Sequence, residues 1–429
     1  MKIWHLENEY DAFIASVCSG REGRKADVGA RVARIKAEVL EKGDAALVAY
    51  GRQLDGWTRD YPLKVSREEI EAAASRVARD DLAALRAMVR NVTLFHRGQK
   101  GRARTYRRQG LKVTERPVPV ERVLVYVPGG TAPYPSSLIM GVVPAQIAGV
   151  KEIYATTPGR DGAVNPHIAA AARILGITDL YRIGGAQAIY AFAYGAGSIP
   201  RVDMIVGPGN AYVEEAKRDV YGRVGIDMLA GPSELVILAA ERTSPKVLAC
   251  DLISQAEHDK MATVGLFSPS QEELYEVLRC TERLIASDIN EKRRGILETA
   301  WHANGFLVHY TRVEDAVRAI DRIAPEHLEV IGDEKLAESI RYAGITYVGP
   351  LTPVAMGDYA IGTNHVLPTG GAGRFSSGLS VERFTKRQVL VKIEGSFLKK
   401  HGEWAARLAG TEGLYAHGEA IRARKELTR

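Results

Sequence analysis

Cysteine is scarce in this 429-residue chain, which has only Cys18, Cys250 and Cys280 at wide, irregular spacing. Three such thiols make neither a disulfide framework nor a thiolate zinc cluster. Any bound metal must therefore draw on histidine and on carboxylate or amide oxygen. Long apolar runs are missing too: no window approaches the roughly 20 apolar residues that cross a bilayer. The opening MKIWHLENEYDAF lacks the basic start, apolar stretch and small-residue cleavage site of a signal peptide. These absences lead us to expect a soluble, cytoplasmic protein with no membrane partner. Neither G-x-G-x-x-G nor G-x-x-x-x-G-K-[ST] occurs, so the usual dinucleotide fingerprint and the P-loop are excluded. A dinucleotide could bind only through an atypical set of loops. Internal repeats and low-complexity segments are absent as well.

What is present is ample apolar material, 46% of residues, in a chain longer than one core usually supports. The formal charge of +6 raises the question of nucleic acid, especially at Arg97, Lys100, Arg102, Arg104, Arg107 and Arg108. That run has little aromatic interleaving and no recognition motif, so it reads as a solvated or anion-facing surface and no nucleic-acid partner is expected.

From Asp27 to about Phe95, apolar residues recur at helical spacing, as in Val28, Val32, Ile35 and Val39. The β-branched run Arg122–Val127 then predicts a strand, and Ser136 or Ser137 suits the N-cap of a following helix. Further strands are expected near Glu152–Ala155, Leu180–Ile183, Met204–Val206, Leu235–Leu238, Val264–Phe267, Phe306–His309, Leu328–Ile331 and Ile345–Val348, with helices between several of them. Such alternation predicts parallel sheets in two α/β units. A Gly-rich loop is expected over Gly349–Gly378. The stretch after about Ser380 reads as a mostly helical, charged tail with little apolar surface of its own, which favours docking on another subunit.

Four tight loops fall where parallel strands should end, the usual ligand side of open α/β sheets. They are Val127–Pro133, Gly184–Gln187, Gly207–Asn210 and Ala230–Glu234. Each alone is the ordinary sequence of a turn between strand and helix, although glycine here gives close backbone approach and the helix starts after two of them favour anions. Gln255 and His258 stand three apart at a helix end and share a face, which suits a metal but equally suits plain polar surface. Asp358 and His365 fall in the long loop, where functional residues concentrate. Pro325-Glu326-His327 sets an acid beside a histidine able to work near neutral pH. Neighbours in an extended chain face opposite ways, so the pair can share one site only if a strand has just begun or ended there. A strand-edge pair is the plainer reading of the spacing.

The segments YVPGGTAPYPSS, GGAQAI, VGPGNAYVEEAKR, GIDMLAGPSE, DLISQAEHD, APEHLE, GDYAIGTNHVLPT, RFSSGL and EGLYAH, in this order from about residue 20 to the C-terminus, resemble the histidinol dehydrogenase family. The resemblance implies zinc held by Gln255, His258, Asp358 and, from the neighbouring subunit of a homodimer with shared active sites, His417. It implies acid–base work by Glu326 and His327. Ser233 and Glu412 would join His327 and the metal ligands around an amino-alcohol substrate, and Tyr126, Gln187 and Asn210 would touch NAD. It further implies oxidation of L-histidinol through its aldehyde to L-histidine with two NAD, the last step of histidine biosynthesis. The implied fold is α/β, with two incomplete Rossmann-like parallel-sheet domains, a helical N-terminal region and a small helical C-terminal tail. Residues 1–24 are then expected as an N-terminal helical arm, 25–118 with 235–380 as the larger zinc and substrate domain, 119–234 as the NAD domain and 381–429 as a tail on the partner.

Three other readings compete. A related zinc and NAD enzyme could act on a sulfonated propanediol, but a substrate-facing Glu412 attracts an ammonium and repels a sulfonate. A thiol aldehyde dehydrogenase would need Cys250, which sits in an apolar helical run without an evident activating partner. A basic nucleic-acid-binding protein would rest on the arginine run alone.

Overall fold

The aliphatic runs read above become the inner strands of two parallel sheets, in a computed structural model that describes residues 2–23, 28–129, 133–287 and 292–428. The chain begins with β1 (Ile3–His5), α1 (Leu6–Gly23), α2 (Gly29–Lys42), α3 (Asp44–Leu54), α4 (Arg67–Ala74) and α5 (Arg79–Arg97), followed by the hairpin β2 (Arg104–Arg108) and β3 (Leu111–Pro119). The first α/β run is β4 (Arg122–Tyr126), α6 (Pro135–Ala148), β5 (Glu152–Thr156), α7 (Pro166–Leu175), β6 (Leu180–Tyr181), α8 (Gly185–Tyr194), β7 (Met204–Val206), α9 (Ala211–Val220) and β8 (Gly225–Ile226). The second is β9 (Glu234–Ala239), α10 (Pro245–Ala256), β10 (Thr263–Ser268), α11 (Gln271–Ala286), α12 (Arg294–Asn304), β11 (Phe306–His309), α13 (Val313–Ile323), β12 (His327–Ile331), α14 (Glu334–Ser339), β13 (Ile345–Val348) and α15 (Val354–Tyr359). The chain ends with β14 (Thr385–Ile393), α16 (Gly395–Thr411) and α17 (Tyr415–Ala423).

The first run forms a five-stranded parallel sheet of order β6-β5-β4-β7-β8, and the second a six-stranded parallel sheet of order β1-β11-β10-β9-β12-β13. Parallel sheets bury both faces, which explains why their inner strands read as unbroken apolar runs. On the five-stranded sheet one face packs Val32, Val39 and Leu47 against Leu124, Ile189 and Ile205, while the other packs Ile70, Met88 and Val92 against Val123, Val125 and Ile139. Helices α2 to α5 therefore cover this sheet, whereas the expected division grouped residues 25–118 with the six-stranded unit. Residues 24–27 themselves lie outside the described residues. Within the expected arm 1–24, the described residues 3–23 join the six-stranded sheet: β1 pairs with β11, and Phe13 and Ile14 of α1 pack on Val236, Phe267 and Phe306. Helical periodicity shows that a segment is amphipathic but not which sheet its apolar face will meet.

Two local expectations also change. Helix α6 starts at Pro135 with Tyr134 as N-cap, and Ser136 and Ser137 are buried inside it. Proline's fixed φ and missing N–H suit the first helical position, so Pro135 outcompetes the serines as the start. The tail is not simply helical, because Thr385–Ile393 is a nine-residue strand paired antiparallel with β3 in a third sheet of order β14-β3-β2. The arginine run ends in the exposed strand β2 of that sheet. No helix among the described residues is long and apolar enough to cross a membrane.

Candidate functional site

In both parallel sheets the strand order reverses at a central pair, β4/β7 in one and β9/β12 in the other, and residues of interest gather at both reversals. At the first, three of the four tight loops leave the carboxyl ends of β4, β6 and β7, the expected ligand side. Gly130, Thr131 and Ala132 of the Val127–Pro133 loop lie outside the described residues. Tyr126 ends β4 and is buried; its hydroxyl accepts from Gly185 N–H at 3.1 Å, and burial pushes its pKa up to about 12. Gln187 is buried beside it, so close that a Cβ on Gly185 would stand 2.5 Å from Gln187 Oε1. Asn210 is exposed and caps α9, its Oδ1 accepting from Tyr212 and Val213 N–H. Gly207 has φ +115° and lies so near β4 that a Cβ would collide with the Tyr126 carbonyl.

A buried charge network holds this loop. Lys217, fully buried, donates to the Gly207 carbonyl at 3.0 Å and pairs with Asp227 at 2.8 Å and Glu214 at 3.3 Å. Burial opposes the lysine's charge, but the two carboxylates outweigh it and raise its pKa. Asp227 accepts from Gly207 N–H, and Glu214 accepts from Ala230 N–H. These residues lie within VEEAKR and GIDM, yet nothing in their spacing announced that they meet.

The fourth loop, Ala230–Glu234, carries the chain from β8 into the amino end of β9, where the second reversal lies. Gly231 N–H donates to the Thr369 hydroxyl, and the carbonyl of half-buried Ser233 accepts from Thr263 N–H. Ala324, at φ +49°, ends α13 in the left-handed region, and Glu326 immediately precedes the strand that His327 begins. The condition for the pair to share a site is thus met. Glu326 Oε2 accepts from Glu234 N–H at 2.9 Å, and Glu234 Oε2 accepts from Glu326 N–H at 3.3 Å, a reciprocal clamp between β9 and β12. His327 Nδ1 lies 3.0 Å from the Glu234 carbonyl and 3.4 Å from Glu326 Oε2. Oxygen acceptors at both distances make Nδ1 the protonated nitrogen. Its Nε2 is buried with no hydrogen-bond partner among the described residues. Burial works against a charged imidazole here, but Glu326 foremost and then Asp358 outweigh it and hold the His327 pKa up at about 9.

Around this pair stand the other residues singled out from the sequence. Gln255 is buried on the last turn of α10, and His258 follows the helix cap, its N–H donating to the Gln255 carbonyl at 3.3 Å. His258 is exposed at the helix end; desolvation lowers its pKa, opposed by Glu326. Asp358 lies on α15, so the long Gly349–Gly378 stretch is not all loop. Helix α15 packs on α10, the helix that carries Gln255, and Asp358 is close enough to His327 and Glu326 to feel their charges. Burial raises the Asp358 pKa to about 6 against the pull of His327. His365 Nδ1 lies 3.7 Å from Asp358 Oδ1, and burial drives the His365 pKa down to about 4. Amide oxygen, imidazole and carboxylate are donors that suit a divalent metal such as zinc.

Further groups were missed. Tyr347 stacks on His327 with ring centroids 6.4 Å apart, and its hydroxyl occupies the space a Cβ on Gly357 would need. Glu329 accepts from Val354 N–H at 2.8 Å and so anchors the start of the helix bearing Asp358. Glu329 is two residues beyond His327, on the same strand face, and that alternation was its only signal. Burial and then Asp251 push its pKa well above the ordinary carboxylate value. Cys250 is partly buried and its thiol pKa is raised by burial, the opposite of an activated nucleophile. Glu412 and His417 are exposed on the α16–α17 hairpin, and their side chains make no hydrogen bond or ion pair with this cluster among the described residues. A cavity of about 430 Å³ lined by Arg102, Arg104, Arg383 and Arg387 contains none of the candidate residues.

Comparison with known proteins places the arrangement in context. The family model for histidinol dehydrogenase matches residues 19–425. Histidinol dehydrogenase of Chlorobaculum tepidum is 43% identical over 390 residues, 90% of either chain, and that of Geobacter sulfurreducens is 40% identical over 426 residues, 97% of either chain. The crystal structure of histidinol dehydrogenase from Elizabethkingia anophelis matches with TM-score 0.93 at 32% identity, over 100% of this chain and 99% of that one.

Proposed function

The chain belongs to the histidinol dehydrogenase family, and from that premise we propose that it oxidises L-histidinol to L-histidine with two NAD and bound zinc, as the last step of histidine biosynthesis. The observation that carries the chemistry is His327: its Nδ1–H is fixed by the Glu234 carbonyl, and its buried Nε2 has no hydrogen-bond partner among the described residues. A side chain so held presents one free nitrogen to a substrate in one orientation.

Gln255, His258 and Asp358 would hold zinc, with His417 of a second copy completing the set. Zinc there would supply positive charge that polarises the substrate alcohol and favours neutral His327 at working pH. In the first oxidation His327 takes the hydroxyl proton through Nε2 as hydride passes to NAD. Glu326 then draws a proton from water as its oxygen attacks the retained aldehyde, and the hydrated aldehyde gives up a second hydride to a second NAD. Tyr126, Gln187 and Asn210 line the dinucleotide side, while Ser233 and the partner's Glu412 face the substrate, the carboxylate attracting its ammonium. The apolar residues that β14 leaves exposed, among them Val389 and Val391, support a homodimer through this sheet and tail.

The test is NADH yield with L-histidinol before and after chelation. We expect about two NADH per histidinol with metal, and loss of turnover with an unchanged circular dichroism spectrum without it. Full activity in metal-free protein would defeat the zinc assignment, and no NADH from histidinol under any metal condition would defeat the substrate.

A further inference from the structure

At the carboxyl end of the six-stranded sheet, opposite the edge that carries His327, a second group of metal-binding side chains meets. The register of β1 on β11 sets His5 opposite His309, with ring centroids 5.4 Å apart. Glu7 stands two residues on, in the first turn of α1, its Oε2 4.0 Å from His309 Nδ1. One ligand atom from each of the three lies within 4.8 Å of the others. The neighbouring Glu9 is otherwise engaged, pairing with Lys2 and accepting from His5 N–H, which leaves Glu7 to face the histidines.

The protonation of His309 follows from its surroundings. Its Nε2 lies 3.1 Å from the Pro269 carbonyl. A carbonyl only accepts, so Nε2 carries the proton and Nδ1 presents a lone pair. That Nδ1 is buried and has no hydrogen-bond partner among the described residues. An acceptor cut off from water without a donor is costly, and an imidazole whose far N–H is tied to a backbone carbonyl is the usual posture of a metal-ligating histidine.

We propose that His5, Glu7 and His309 bind a divalent ion of the zinc, cobalt and nickel class, separate from the Gln255, His258 and Asp358 set. Two imidazoles and one carboxylate suit those ions, whereas magnesium and calcium favour oxygen alone. Three protein ligands leave the remaining positions to water, in keeping with the exposed flank of Glu7. Since β1 is the outermost strand of its sheet, the ion clips the N-terminal strand and the start of α1 to β11.

Metal content per chain and Co²⁺ titration of the full-length protein test this. Wild type should hold about two ions per chain. Glu7→Gln, a near-isosteric change on the exposed first turn, and His5→Ala should each weaken one of them at least about tenfold while leaving dehydrogenase turnover unchanged. The converse variant, His258→Ala, should keep this ion, and Zn²⁺ should still raise its melting temperature. Loss of an ion in His258→Ala but not in Glu7→Gln or His5→Ala would overturn the second site and leave the zinc reading of the active site intact. A single ion lost in Glu7→Gln but retained in His258→Ala would support the second site and count against the active-site zinc.

Discussion

Glu326 and His327 are adjacent in sequence but differ in how the fold holds them, and their variants should fail differently. Glu326 is clamped by Glu234, while His327 Nε2 is unengaged among the described residues. His327→Ala should slow oxidation of alcohol and aldehyde alike by about 10² to 10⁴-fold, the usual worth of a placed acid–base group. Glu326→Gln should impair aldehyde oxidation more than alcohol oxidation, which stopped-flow NADH formation with each substrate would resolve. Equal loss on both would remove Glu326 from water activation. Glu329 gives a prediction about stability. Its native pKa lies above the ordinary 4.5, so between the two values the folded chain binds more protons than the unfolded one. Stability contributed by the neutral carboxyl is therefore lost as pH rises through that interval. Glu329→Gln should flatten this dependence in urea titrations across the window and leave turnover largely in place, because an amide still accepts from Val354 N–H. An unchanged slope would place the pH sensitivity elsewhere.

Single elements owe their placement to contacts distant in sequence. The start of α9 and the Gly207 turn are tied together by Lys217, whose side chain is fully buried. Lys217→Met should strand Asp227 and Glu214 as buried charges and cost about 3–5 kcal/mol in chemical denaturation, with weaker NAD binding as the turn loosens. A loss under about 1 kcal/mol would mean that water replaces the lysine. Helix α15 is six residues long and would not persist alone. Its position comes from Glu329 and from the packing of Tyr347 against Gly357. The strand β14 exists because β3, some 270 residues earlier in the chain, offers it a full nine-residue ladder. TKRQVLVKI has strand-like residues, but its charge and its helical neighbours hid that preference.

For the whole molecule the central prediction concerns subunits, since the α16–α17 hairpin holds Glu412 and His417 outside the cluster of its own chain. His258→Ala and His417→Ala should each be inactive. Mixed at equal amounts, about half the dimers pair one of each, and if His417 acts across the interface every such dimer has one intact site. About a quarter of wild-type activity should return. Verified mixed dimers without activity would show that each site is completed within one chain.

Composition and motif order alone determined the class of the protein: alternating apolar runs required parallel sheets, scarce cysteine required nitrogen and oxygen ligands for any metal, and the ordered segments pointed to the family. Strand cores such as Leu235–Leu238 and Val264–Phe267 were legible because burial on both faces forces their residues to be apolar. The tertiary structure decided what depends on partners far along the chain. It placed α2 to α5 on the five-stranded sheet, made residues 3–23 part of the other, and turned part of the tail into a strand. It also put the two candidate regions at unlike edges, the tight glycine loops at the carboxyl ends of β4, β6 and β7 and the Glu326–His327 pair at the amino ends of β9 and β12. Local sequence fixes which face of an element is apolar, whereas strand order and the meeting of Glu234 with Glu326, or His5 with His309, depend on chain crossings that leave no local mark.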